Sequence, residues 1–202
     1  MPKLPTDVQR AINQQAPKLL KKDFNKDFKK KFEEIKEEMI NEFLNHPVTI
    51  EINAGPSSAN ISGTLGGVSN LFAFIGFNIG DKPTKPILDI LQNIKYRDAG
   101  DSKAGAGIDF IVDIPTPEDI FAVTPMPWAT GRSWAKGIES GISGLGYLLN
   151  KRGKSSRSGV AIQAENKVRG SRFRNTAYIS SFLKKYEKKF KNLKWLNSTT
   201  IN

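Results

Sequence analysis

The chain has 202 residues, no cysteine, a single histidine and a net charge of +11. Without cysteine there are no disulfide frameworks, thiolate metal sites or cysteine nucleophiles, which fits a reducing compartment or a particle assembled in one. A hydrophobic fraction of 38% and a mean hydropathy of −0.41 allow one core with polar segments exposed around it, and no apolar run approaches the roughly 20 residues of a membrane span.

Residues 1–17 read as an N-terminal arm. Pro2, Pro5 and Pro17 punctuate it, leaving Val8, Ile12 and Ala16 room for a short amphipathic turn only. The opening MPKLPTDVQRAINQQ has no apolar core of signal-peptide type, which predicts a chain that is not secreted. From Lys18 to Leu44 the period is helical. Leu20, Phe24, Phe28, Phe32, Ile35, Met39 and Phe43 form one stripe, and Lys and Glu fill the other faces. Such a stripe reads as core. Asn45-His46-Pro47 ends the helix, because the residue before a proline avoids the helical region.

Val48, Ile50 and Ile52 alternate with Thr49 and Glu51, the pattern of a half-buried strand. Asn60 to Phe77 reads as strand, Gly-Gly turn and strand, with the run Leu71 to Phe77 covered on both faces. Pro86 to Ile94 suits a short helix, with Thr84 as its cap and Ile87, Leu88, Ile90 and Leu91 inward. Arg97 to Gly107 has no apolar residue larger than alanine and reads as a hairpin tip or long loop. Ile108 to Ile114 is another strand, with Asp109 and Asp113 on its polar face. Thr116-Pro117-Glu118-Asp119 carries the cap, first-turn proline and acids of a short helical turn.

Thr124 to Leu149 organises the rest of the chain. Pro125 and Pro127 force an extended entry, and Thr130-Gly131 turns it into a helical pattern. Trp134, Ile138, Ile142, Leu145 and Leu149 share one face, with Gly137 and Gly141 on a neighbouring strip. A mid-helix glycine costs about 1 kcal/mol relative to alanine, so Gly137 and Gly141 imply that another backbone lies close. Replacing Gly137 by Leu is expected to block folding or assembly. Asn150 to Ser158 is a basic loop, Gly159 to Gln163 a last strand and Lys167 to Arg174 a basic turn. Thr176 to Leu196 is a second amphipathic helix, with Ile179, Phe182, Leu183, Tyr186, Phe190 and Leu193 on one face. The expected fold is α+β. An antiparallel sheet of about four to five strands packs on the long N-terminal helix and the central Gly-rich helix, and a basic helix follows. Residues 18–150 form the core domain and 151–202 a basic extension.

No pattern carries catalysis. Gly153-Lys154-Ser155 lacks the glycine a phosphate loop needs five positions earlier, where Leu148 stands, and the segment before it reads as helix rather than strand. The lone His46 fits a cation at a helix C-terminus, or plain exposure, better than a ligand. One histidine and no cysteine build neither a transition-metal cluster nor a histidine triad. Asp109, Asp113, Glu118 and Asp119 read as solvent-facing carboxylates, because their spacing matches no cation loop. Asn60-Ile61-Ser62 and Asn197-Ser198-Thr199 match the glycosylation acceptor pattern and read as accidental. The sequence therefore predicts no enzymatic activity, no cofactor and no metal.

Charge is unevenly placed. Asn150 to Leu196 holds fourteen Lys/Arg against Glu165 and Glu187, a balance of +12, so the remainder nets −1. Lys151, Arg152, Lys154, Arg157, Arg169, Arg172 and Arg174 are the candidate contacts to DNA or another polyanion, and a solvated basic face is the alternative. Trp128, Thr130, Gly131, Arg132, Trp134, Gly137 and Gly141 are the candidate packing and interface residues, since Trp and Arg are favoured at interfaces.

At Pro127-Trp128-Ala129-Thr130-Gly131-Arg132-Ser133 the chain resembles the tail-completion, or neck, proteins of tailed double-stranded DNA bacteriophages. These often show a proline, a Thr-Gly pair, an arginine and then an amphipathic helix, and they place a long helix before the sheet. The chain differs at Ala129, where an acidic residue is common, and at Ser133, where a leucine is common. The resemblance extends over about residues 18 to 150. It implies a non-enzymatic virion protein of the neck or tail, assembled in the host cytoplasm as an oligomeric ring. Its implied partners are further copies of itself, portal or connector proteins, tail-tube or tail-terminator proteins and packaged DNA, with no membrane. A nucleic-acid-binding module acting through the basic C-terminal segment is the other function class the residues support.

Overall fold

The computed structural model describes residues 5–65, 69–101, 108–127, 129–140, 176–193 and 199–201. Its helices are α1 (Thr6–Asn45), α2 (Pro47–Asn53), α3 (Leu71–Ile75), α4 (Lys85–Gln92), α5 (Pro117–Ala122), α6 (Trp134–Ser140) and α7 (Ile179–Lys191), with a 3-10 turn at Gly55–Ser57. Its strands are β1 (Lys95–Asp101), β2 (Ile108–Asp113), β3 (Pro125–Met126), β4 (Ala129–Ser133) and β5 (Thr199–Ile201). The class is α+β as expected. The expected single antiparallel sheet of four to five strands is not there: the strands fall into a group ordered β1-β2-β5 and a separate β3-β4 ribbon. The chain divides into two compact units.

One unit comprises Met1–Met39, Asn93–Ile114 and Lys184–Asn202. β1 and β2 pair antiparallel, with Tyr96 opposite Val112 and Asp101 opposite Ile108. A bulge falls between Asp98 and Gly100, where Gly100 takes a φ of 94° that a larger residue rarely adopts. β5 joins β2 in parallel, Phe110 opposite Thr199. The expected loop from Arg97 is therefore strand as far as Asp101, and residues 102–107 lie outside the described ones. The core is aromatic. The Phe28 ring stacks on Phe110 at 3.8 Å between centroids, and Tyr96 meets Phe28 edge-on at 5.0 Å. Phe32 lies 4.7 Å from Tyr96 and 5.5 Å from Phe190. Outside this core, Lys21 pairs with Asp98 at 2.8 Å and holds its carboxyl below the usual carboxylate range. Lys189 pairs with Glu38.

α1 begins at Thr6 and continues through Pro17, so most of the expected arm is helix. Pro17 removes one ladder donor without ending the element. The apolar stripe accounts for what is buried. A step of four residues turns the helix by about 400°, so a period-four stripe drifts by about 40° per step. Over the sixteen residues from Val8 to Phe24 the drift is about 160°. Phe24, Phe28 and Phe32 are accordingly buried, while Val8 faces solvent with 40% exposure.

The other unit comprises Ile40–Gln92 and Pro115–Leu183. Here Val48 to Ile52, expected as a strand, is helix α2. Pro47 sits at its first turn, and His46 Nδ1 accepts from Val48 N–H at 3.3 Å. Its alternation misleads because the polar residues are also inside. Val48, Thr49, Glu51 and Ile52 are buried while Ile50 is exposed, which is a helical set. The run Leu71 to Ile75, also expected as strand, is the short helix α3. Asn70 caps it through Ala73 N–H, and Gly76 ends it in the left-handed region with φ 87°. Residues 60–65 form turns rather than a strand, and the Gly-Gly pair at 66–67 lies outside the described residues. α4 runs from Lys85 to Gln92 where Pro86 to Ile94 was expected; Ile87 and Leu91 are fully buried, and Leu88 and Ile90 are half-buried. Thr84 does not cap it through its side chain: the hydroxyl donates to Asn53 Oδ1 at 2.5 Å. α5 carries a full capping box between Thr116 and Asp119.

Candidate functional site

The stretch from Pro125 to Ser133, in which Trp128 lies outside the described residues, forms a ribbon joined to a helix. Pro125 and Met126 form β3, residues 129–133 form β4, and the two pair antiparallel with Pro125 opposite Ser133. Gly131 has φ 77° and open space where a side chain would stand. Gly131 and Arg132 are both exposed. The Thr-Gly pair thus belongs to the second strand, with Gly131 exposed, and helix α6 starts three residues after the glycine.

Beneath the ribbon a chain of polar contacts fixes its base. Trp134 N–H donates to the Thr124 carbonyl at 2.9 Å, and Thr124 Oγ1 donates to the Ile120 carbonyl at 2.9 Å. A hydroxyl has one hydrogen. With Thr124's committed to Ile120, Ser133 Oγ donates to Thr124 Oγ1 across 2.7 Å and accepts from Lys136 N–H at 3.1 Å. Ser133 is therefore the N-cap of α6. This is a physical reason for a serine at position 133. Lys136 lies 6.0 Å from the Phe121 ring centroid, a long cation–π approach.

The indole of Trp134 is the anchor. It is 1% exposed, meets Phe77 edge-on at 5.9 Å and lies 6.3 Å from Tyr178. Tyr178 is itself buried, and its hydroxyl shares a 2.9 Å hydrogen bond with Thr49 Oγ1. Burial pushes the phenol well above its ordinary range, with the Thr49 bond opposing. Glu139 on α6 accepts from Ser180 N–H at 2.5 Å and from Ser180 Oγ at 2.6 Å, which holds the first turn of α7.

The expected interface residues thus divide. Trp134 is a core anchor, Gly131 and Arg132 are exposed, and Gly137 is half-buried in α6. The Thr130 backbone belongs to β4, and Trp128 and Gly141 lie outside the described residues. So do all seven candidate polyanion contacts, from Lys151 to Arg174, together with the expected strand Gly159 to Gln163 and the basic turn Lys167 to Arg174.

The sequence reading missed Glu51. Placed there on a strand's polar face, it is a fully buried carboxylate of α2. One oxygen accepts from Leu71 N–H at 2.7 Å and from Asn60 Nδ2 at 3.1 Å, and the other accepts from Ser62 N–H at 2.7 Å. Asn70 Nδ2 donates to the carbonyls of Pro56 and Ser58. These bonds position the loop between α2 and α3. They also engage the amide of Asn60, the atom that glycosylation would need. The nearest sequence signal was the polar cluster Asn60, Ser62, Thr64 and Asn70, too rich in side-chain acceptors and donors for a plain strand.

Other carboxylates are accounted for locally. Asp119 caps α5, and its hydrogen bonds from Thr116 lower its pKa. Asp113 is exposed and Asp109 half-buried on β2. Among the described residues no three His, Asp or Glu side chains form a metal-binding group. No helix among them is long and apolar enough to cross a membrane. Compared with protein-family models, curated proteins and solved structures, the chain matches none.

Proposed function

We propose that this chain is a structural subunit of the neck or tail of a tailed bacteriophage, working as part of an oligomeric ring between the head connector and the tail. The observation that carries this reading is the Pro127–Ser133 motif, with Gly131 and Arg132 exposed on a short ribbon whose base is tied to buried Trp134. A contact built this way needs little ordering on binding, which favours assembly of many identical interfaces. The function is positional, with no substrate turned over. Arg132→Glu tests it in phage complementation. Intact heads without attached tails, from a variant whose thermal unfolding matches the wild type, are the expected result. Normal infectious particles would refute a role for this ribbon in joining.

The charge distribution favours a second reading, a nucleic-acid contact through the basic C-terminal segment. The +12 balance after Asn150 supports it, as do the exposed lysines 184, 185 and 188 of α7. Affinity should fall steeply as salt rises, because bound cations displace counterions from phosphates. Neutralising Lys151, Arg152, Lys154 and Arg157 together should flatten that slope. Absence of binding at low salt would remove this reading.

A further inference from the structure

His46 is the only histidine in the chain, and it stands where three segments of one unit meet: the end of α1, the start of α2 and the approach to α7. Nδ1 accepts from Val48 N–H at 3.3 Å, so the proton of the neutral ring is on Nε2. The ring lies 4.9 Å from that of Tyr178, whose hydroxyl is bonded to Thr49 of α2. Tyr178, just before α7, thus meets both the imidazole that caps α2 and a hydroxyl within α2.

We propose that His46 is an acid-released latch that holds the start of α7 on α2 only while its imidazole is neutral. A proton added to Nδ1 takes up the lone pair that accepts from Val48. Two donors, Nδ1–H and Val48 N–H, then face each other. The new charge also sits at the positive end of α2. The ring is rigid, so rotating it to relieve this clash slides it off Tyr178. The surrounding charges compete. Glu42 of α1 and the Ala177 carbonyl favour the imidazolium, while Tyr178, held neutral by burial, offers no charge, and Glu139 of α6 acts on Tyr178. Desolvation of the half-buried ring outweighs them, and the His46 pKa lies below its ordinary value.

The sign follows. A histidine whose folded pKa is depressed stabilises the fold fully above its unfolded value, about 6.5. That contribution is lost as pH falls through the folded pKa. The latch is therefore closed at neutral pH and opens under mild acid, which separates it from carboxylate-driven acid unfolding at lower pH.

Hydrogen exchange followed by mass spectrometry between pH 7.5 and 5 tests this in the full chain. After correction for intrinsic chemistry, exchange in segments covering 46–53 and 177–183 should rise severalfold on acidification, while the strands β1 and β2 keep their protection. His46→Asn retains a side-chain acceptor for Val48 at every pH, so its exchange in these segments should not change with pH. A rise spread evenly over the wild-type chain, or the same local rise in His46→Asn, would overturn the latch. Should His46→Asn not fold, the wild-type profile decides alone: a local rise supports the latch and an even or absent one overturns it.

Discussion

Glu51 holds together three separate points of one unit's chain. A buried carboxylate is tolerated only when its lone pairs are met, and here one side chain of α2 gathers donors from Asn60, Ser62 and Leu71. Glu51→Ala should destabilise the chain by at least about 1 to 3 kcal/mol in urea denaturation, the range for leaving a buried donor such as Leu71 N–H unpaired. Glu51→Gln keeps the volume but turns an amide N–H toward a backbone donor, and a loss of about 1 to 3 kcal/mol is expected. An unchanged midpoint in both variants would contradict the bonding described. At an exposed site the same chemistry reads out as titration. Asp119 is held below the usual carboxylate range by Thr116, so its contribution to α5 is present above the unfolded pKa and is lost as pH falls through the folded one. Thr116→Val should move the Asp119 titration upward toward the ordinary range in a carboxyl NMR experiment. At this scale the sequence was legible where a residue's bonding is local, as at the Thr116–Asp119 box. It was opaque where partners arrive from far along the chain, as at Glu51 and Thr49, and at His46, whose acceptor role serves the helix after it rather than the one before.

Elements were readable in proportion to how well burial followed apolarity. Phe24, Phe28, Phe32, Met39 and Phe43 of α1, Ile87 and Leu91 of α4, and Ile179, Phe182, Leu183, Tyr186 and Phe190 of α7 are buried, so the period of these helices shows directly. α2 does not. Thr49 and Glu51 are inside because each meets a polar partner, and the resulting alternation with Val48, Ile50 and Ile52 imitates a strand. α3 is five apolar residues long, a length at which helix and strand have the same pattern. The signs that decide it, Asn70 before and Gly76 after, were in the sequence as cap and stop. The candidate ribbon was half legible: the prolines gave its extended entry, but the turn expected at Thr130-Gly131 is strand β4, and nothing marked Ser133 as the cap of α6. Ser133→Ala should cost about 1 kcal/mol by loss of the bond to Lys136 N–H, measurable as a lower thermal midpoint. Gly131→Ala, forced into the left-handed region at φ 77°, should cost about 1 to 2 kcal/mol. A stabilised alanine variant would mean that the ribbon does not hold this conformation in solution.

For the molecule as a whole, the features that point to function lie in different stretches of the sequence. Within one unit, Trp134, Phe77 and Tyr178 form a buried anchor under an exposed ribbon, a mechanical arrangement rather than a chemical one. The basic stretch after Asn150 supplies charge without a defined constellation. A ring subunit needs both a firm contact surface and a way to tolerate a polyanion passing near it, and the proposed neck role uses each for one purpose. The most direct measurement is cryo-electron microscopy of native particles labelled with an antibody to this chain. A neck subunit requires labelled density in a closed ring at the junction of head and tail. Label confined to the tail tip or the capsid shell, or absent from purified particles, would contradict it.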